Sequence, residues 1–172
     1  GQAGDEFTVT VDYARTVSPP DPSDADAAGL FPTADGLWAV NEPAGARTWL
    51  PVNDHPTDKA TWSFAVSVPE PFTAVANGEL TGTSTADGWT TWTWEQAEPM
   101  ATYLITLLVG PYELVAAGES ATGVALHHAV LAGSDGVDEY TRVTDDQLSY
   151  FAELFGPYPF ERYGLALADS AP

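Results

Sequence analysis

The side chains able to do chemistry are few, and their spacing limits what each can do. Histidine occurs three times. His127 and His128 are adjacent, so a strand would point them to opposite faces, and they cannot easily share one metal ion. A structural or surface role is the better reading of both. His55 stands among Asp and Pro residues, where a hydrogen bond within a loop is its natural role. Gly118-Glu119-Ser120 begins like a nucleophile elbow, but Thr122 stands where the last glycine should be, so an activated serine is not supported. Asp24, Asp26, Gly29 and Asp35 fall at positions 1, 3, 6 and 12 of a calcium-loop spacing. Ala28 at position 5 and the lack of predicted flanking helices weigh against calcium. There is no H-E-x-x-H, Walker A or G-x-S-x-G motif. Cysteine is absent, which removes thiol nucleophiles, disulfides and cysteine zinc sites.

The most informative stretch runs from Asn41 to Trp62. It is a long, turn-rich connection that holds Arg47 and Lys59, two of only five basic residues. On composition it reads as an ordered loop pinned by ion pairs, with Asp54 and Asp58 as the natural partners. On those grounds alone Glu42 is a surface residue of that loop.

The elements that must position these residues are mainly β. Phe7 to Tyr13 alternates apolar and polar residues, as does Thr61 to Val68, and period two predicts half-buried strands. Trp62, Phe64, Val66 and Val68 share one face of the second. Between the two, Ser18 to Gly29 is rich in Pro and Asp and reads as an exposed loop. Asn77-Gly78 is a hairpin-type turn signal, and Ala86-Asp87-Gly88 is another, followed by Trp89 to Trp94. Trp62, Trp92 and Trp94 fall at strand period, so sheet packing is preferred over a carbohydrate platform. Tyr103 to Val109 is nearly all apolar and predicts a strand buried on both faces. Gly123 to Leu131 predicts one more strand. Thr144 to Gln147 fits a capping box that would open a helix carrying Leu148, Phe151, Ala152 and Phe155 on one stripe. Asp145 and Asp146 suit its positive end. Gly156-Pro157 stops it, and Tyr163 to Ala168 begins another strand.

Composition excludes several classes. The chain has 172 residues, 44% of them hydrophobic, enough for a core. Its 25 acidic residues against 5 basic ones give a formal charge of -20. Such a surface repels nucleic acid and anionic lipid, and is read here as a solvated face. No apolar run approaches the roughly 20 residues of a membrane span. Nothing in the composition separates a secreted from a cytoplasmic protein.

The motifs together resemble the N-terminal part of the aminopeptidase N family of zinc metallopeptidases. They begin with Glu42-Pro43, Ala46-Arg47, Trp49-Leu50-Pro51, Asp54-His55-Pro56 and Lys59-Ala60-Thr61-Trp62. Val75 to Gly78, Trp92-Thr93-Trp94, and Pro99 to Leu104 running to Val109-Gly110 follow in order. Phe151, Leu154 to Phe160 and Tyr163-Gly164 close the series. The cysteine common in the family after the proline matching Pro51 is Val52 here, a position with no catalytic duty. The resemblance implies a saddle-shaped β-sandwich over residues 1–118, the later part of the N-terminal domain. Residues 119–172 would then be the opening strand and helix of an α+β, thermolysin-like catalytic domain.

By the same comparison the zinc-binding helix would lie beyond Pro172. No catalytic residue and no metal ligand is therefore assigned to this chain, which is expected to bind no zinc and hydrolyse nothing alone. Zinc is implied as the cofactor of the full-length protein, and peptides with a free N-terminus as its substrates. The rest of the catalytic domain is the implied partner. The position matching Glu42 binds the substrate's α-amino group in the family, and Asn41 is the neighbour that would line the same pocket. Two other readings stay open. One is a non-enzymatic β-sandwich binding module, and the other a catalytically dead homologue kept as an interaction scaffold.

Overall fold

The computed structural model describes residues 6–18, 28–133 and 137–167. Among them the strands are β1 (Gly29–Thr33), β2 (Gly36–Val40), β3 (Ala60–Pro69), β4 (Thr73–Ala76) and β5 (Glu79–Ala86). They continue with β6 (Trp89–Met100), β7 (Leu107–Gly110), β8 (Tyr112–Glu119), β9 (Ala125–Leu131) and β10 (Arg162–Tyr163). A single helix, α1 (Val137–Phe155), lies between β9 and β10. The protein is mainly β, and the sheets have the orders β1-β2-β7-β4, β3-β6-β5 and β10-β9-β8.

The longest strands follow from strict alternation. In β3 and β6 the register sets Phe64 against Trp94 and Val66 against Trp92. One face thus carries the aromatic and aliphatic residues, with Val68 and Trp94 buried. The other carries hydroxyls: Ser63 donates to Glu95 at 2.7 Å, and Ser67 pairs with Thr91 at 2.7 Å. Sheet packing is therefore the role of Trp62, Trp92 and Trp94. Asp87 and Gly88, both at positive φ, make the tight turn from β5 to β6. The Trp94 indole donates to the Ala74 carbonyl at 3.1 Å and ties this sheet to β4. Leu108, Tyr112 and Ala129 form a second cluster with Trp38, Val75 and Leu131, joining the β2–β7 sheet to β8 and β9. Val124, Leu126 and Leu148 form a third, under α1.

Five expectations are corrected. Phe7 to Tyr13 forms no strand among the described residues. No sheet edge among the described residues pairs with it, and Phe7, Val9, Val11 and Tyr13 are exposed. Asn77-Gly78 joins β4 and β5, which lie in different sheets, so it is a crossing rather than a hairpin. Gly78 is needed there because φ is +87° and a Cβ would sit 2.0 Å from the Glu95 carbonyl oxygen. The strand expected over Tyr103 to Val109 shrinks to β7, preceded by a 3-10 turn at Thr102–Leu104. Side chains from elsewhere claim that stretch: the Asn77 amide donates to the Leu104 carbonyl and accepts from the Thr106 N–H. The helix begins at Val137, seven residues before the expected cap at Thr144. Thr141 and Thr144 extend the inward stripe upstream, and Asp138 and Glu139 occupy the first turn, where the helix dipole favours acids. Asp145 instead accepts from the Ala121 N–H at 2.7 Å. The fifth correction, the expected loop ion pairs, belongs to the site. Asp24 and Asp26 of the calcium spacing, and most of the loop expected over Ser18 to Gly29, lie outside the described residues.

Candidate functional site

The loop between β2 and β3 is built from the inside out. Gly45 is buried, and a Cβ there would meet the Gly29 nitrogen at 2.7 Å and the Asn41 Cα at 2.9 Å, so only glycine fits. Its N–H donates to the Asn41 carbonyl at 2.7 Å and closes the turn over residues 41–45. Asn41 is 2% exposed. Its amide nitrogen donates to the Ile105 carbonyl at 2.6 Å, and its side-chain oxygen accepts from the Trp49 indole at 2.9 Å. Both functional atoms of Asn41 are thus engaged inside the protein, which suits the penalty on unpaired buried polar groups. Glu42 follows directly, exposed, in a cis peptide bond with Pro43.

The expected ion pairs of this loop are not formed. Asp54 accepts from the backbone N–H of Arg47, at 3.0 Å, rather than from its guanidinium. Its other oxygen accepts the Thr102 hydroxyl at 2.5 Å. Asp58 accepts from the Asn53 amide at 2.8 Å. Among the described residues the ion pairs are Arg142–Asp146 and Arg162–Glu79. The physical reason is economy of entropy: a short Asp can satisfy a fixed backbone donor without immobilising a long arginine. His55 makes the expected loop contact, with its ring nitrogen 2.9 Å from the Thr57 hydroxyl. The N-terminal segment crosses the same loop, where Tyr13 donates to the Trp49 carbonyl at 2.6 Å and Arg15 donates to the Thr48 carbonyl.

A cleft of about 570 Å³ lies elsewhere, between the β4–β5 crossing and the β9–β10 region. Trp94, Leu104 and Tyr158 line it, and Glu42 does not. Burial, and then the neighbouring Tyr163, push the Tyr158 hydroxyl up to about 12. The polar rim of the cleft is already paired. Arg162 donates to Glu79 at 2.7 Å, and its other terminal nitrogen lies 2.9 Å from Nε2 of His127. Burial and the Arg162 charge hold the His127 ring below its usual range, against a smaller opposing pull from Glu79. His128 points the other way, as expected for adjacent strand residues, and is 1% exposed. Its Nδ1 accepts from the Leu165 N–H at 3.1 Å, and its Nε2 sits 3.1 Å from the Thr141 hydroxyl. That geometry requires a neutral ring. Burial and then the His127 charge lower its pKa.

The Arg162–Glu79–His127 cluster had no sequence signal. Its members are separated by up to 83 residues and meet only through the fold. Among the described residues no group of three His, Cys, Asp or Glu side chains converges to hold a metal ion. No helix of the described residues is long and apolar enough to cross a membrane.

Residues 27–104 match the family signature described as the peptidase M1 N-terminal domain. Human glutamyl aminopeptidase is 31% identical over 67% of this chain and 12% of its own length. Rat aminopeptidase B is 31% identical over 69% of this chain and 17% of its own. Among solved structures, an M1 zinc metallopeptidase from Deinococcus radiodurans is 33% identical, with a TM-score of 0.76. The match covers 91% of this chain and 37% of that one. The same enzyme has been solved as a mutant bound to a Tyr-Ser-Ala substrate, and it matches with a TM-score of 0.77. The chain thus spans 12 to 17% of these curated relatives and just over a third of the solved structures.

Proposed function

Because the chain belongs to the M1 zinc metallopeptidase family through its N-terminal domain, we propose that it is part of a zinc-dependent aminopeptidase. That enzyme releases N-terminal amino acids from peptides. In this reading residues 1–118 are the sandwich scaffold and residues 119–172 open the catalytic domain. The remainder of that domain, outside these residues, is the partner and carries the zinc.

This segment's own contribution is recognition of the substrate's free α-amino group by Glu42. An exopeptidase must read a cationic N-terminus, and a carboxylate does so through a charge-assisted hydrogen bond, stronger than a neutral one. A fixed ammonium also fixes the scissile bond one residue further on. The observation that carries the reading is the family match across residues 27–104, with Glu42 exposed on a turn whose flanks are pinned. Asn41 contributes from beneath, holding the start of that turn.

The test begins with the coding sequence past Pro172. A Gly-x-Met-Glu-Asn strand followed by H-E-x-x-H is expected. A frame without a zinc motif would leave a binding module or a dead homologue. In the longest product of the gene, Glu42→Gln is then expected to raise KM for aminoacyl anilides about tenfold or more, the size of one lost charge-assisted bond of roughly 1.5–3 kcal/mol. Unchanged kinetics would exclude Glu42 as the amine anchor.

A further inference from the structure

We propose that Asp54 is a positioning residue for Glu42, an inference that rests on the reading of Glu42 as the amine anchor. Glu42's carboxylate has no partner among the described residues. Its placement therefore depends on the backbone of its turn. That backbone is fastened on both sides. Upstream, Asn41 reaches the Ile105 carbonyl. Downstream, the 3-10 turn Ala46–Thr48 receives no side-chain cap from Gly45. Its Arg47 N–H is one of the orphan donors that every helix start leaves. Asp54 satisfies it from outside the turn, and with its second oxygen takes the hydroxyl of Thr102, which is 2% exposed.

Both fastenings end in one five-residue stretch, Thr102 to Thr106. The Asn77 side chain holds that stretch from a third direction. Residues 42–46 thus span two anchor points on the same rigid base. Removing the Asp54 carboxylate frees one of them. A catalytic group displaced by about 1 Å costs on the order of a hundredfold in rate, so even partial drift of the turn is measurable. Asp54 touches no substrate in this arrangement and acts only through the turn.

The variants that test this are Asp54→Ala, Asp54→Asn and Glu42→Gln, with the double Glu42→Gln/Asp54→Ala. They are read by steady-state kinetics on an unblocked aminoacyl anilide in the longest product of the gene. Asp54→Ala is expected to lower kcat/KM about tenfold, mostly through KM. Asp54→Asn is expected to stay within about threefold of the parent, because its carbonyl can still accept from Arg47 and its amide can donate to the Thr102 oxygen. The double variant is expected to be no worse than Glu42→Gln alone, since a positioned group already lost has nothing left to lose. A loss that multiplies in the double variant, or an Asp54→Asn as impaired as Asp54→Ala, overturns the inference and leaves the Glu42 reading intact. A silent Glu42→Gln overturns both. If Asp54→Ala does not fold, Thr102→Val breaks one of the same two bonds at constant shape. It is expected to cost a few-fold in KM that vanishes in the Glu42→Gln background, and persistence there overturns the proposal.

Discussion

The Glu42 loop and the seam between β5 and β9–β10 solve the same problem with opposite materials. Each must hold a segment in place across strands far apart in sequence. The loop does so with short polar side chains bonded to backbone groups: Asn41 to Ile105, Asp54 to Arg47, Asn77 to Leu104 and Thr106. The seam does so with a long, half-exposed charged side chain, Arg162, set between Glu79 and His127. A buried amide such as that of Asn41 is nearly insensitive to salt, but leaves orphans when broken. Partly exposed charges are weaker and answer to ionic strength and pH. A turn that must keep one geometry is served by the first kind of fastening, and a partly exposed seam tolerates the second.

The sharpest way to break the comparison is Asn41→Leu. The branching at Cγ is kept, but the Ile105 carbonyl and the Trp49 indole both lose their partner at a position only 2% exposed. At roughly 1–3 kcal/mol for each orphaned group, the expected loss is about 2–6 kcal/mol. Urea denaturation of the variant beside the parent reads it. A loss below about 1 kcal/mol would mean that water reaches the loop base and that the two regions differ less than their geometry implies.

Next in size is His128, which shares a strand with the seam yet behaves like the loop. His128→Leu leaves the Leu165 N–H without its acceptor, an expected cost of about 1–3 kcal/mol near neutral pH. The parent adds a pH signature. The folded protein holds His128 below its unfolded value of 6.5, because the buried ring must stay neutral to accept. An unfolded chain therefore binds the proton first as pH falls. Stability from this group is complete above pH 6.5 and declines below it, until the folded ring also protonates. His127 is shifted the same way, so His128→Leu is expected to flatten the acid limb only in part. An acid limb unchanged in the variant would show that His128 is already protonated when folded.

The sequence revealed the seam and the loop unequally. The alternation in β3 and β6, the turn at Asp87-Gly88 and the opposite facing of His127 and His128 are local consequences of period two, and local patterns are what a sequence displays. The family motifs led to Glu42 and to the sandwich. The roles of Asn41, Asp54 and Asn77 were hidden because their partners are backbone groups, 7 residues away for Asp54 and 27 to 64 for the two asparagines, or hydroxyls such as Thr102 at 48. Backbone groups carry no residue identity to read. The misplaced helix start has a different cause. Thr144 to Gln147 satisfies the capping pattern, but Thr144 is itself buried and Leu148 packs on Val124 and Leu126, so the helix runs through it. Tertiary packing outweighs a cap worth about 1 kcal/mol.

The smallest expected effect tests the seam itself. Arg162→Gln removes the charge that Glu79 faces across 2.7 Å, with the two side chains 24% and 53% exposed. Solvent screening at that exposure limits the loss to about 0.5–1 kcal/mol. Salt makes the measurement decisive because two effects run in opposite directions. The chain carries a net charge of -20, so added salt relieves self-repulsion and raises the stability of both proteins. The same salt screens Arg162 from Glu79, so the gap between parent and variant should close as the screening length falls from about 10 Å at 0.1 M to 3 Å at 1 M. A gap that survives 1 M salt would assign the hold to the guanidinium's contact with the His127 ring rather than to charge. Arg162→Lys, which keeps the charge and loses the planar fork, would then be as damaging as Arg162→Gln.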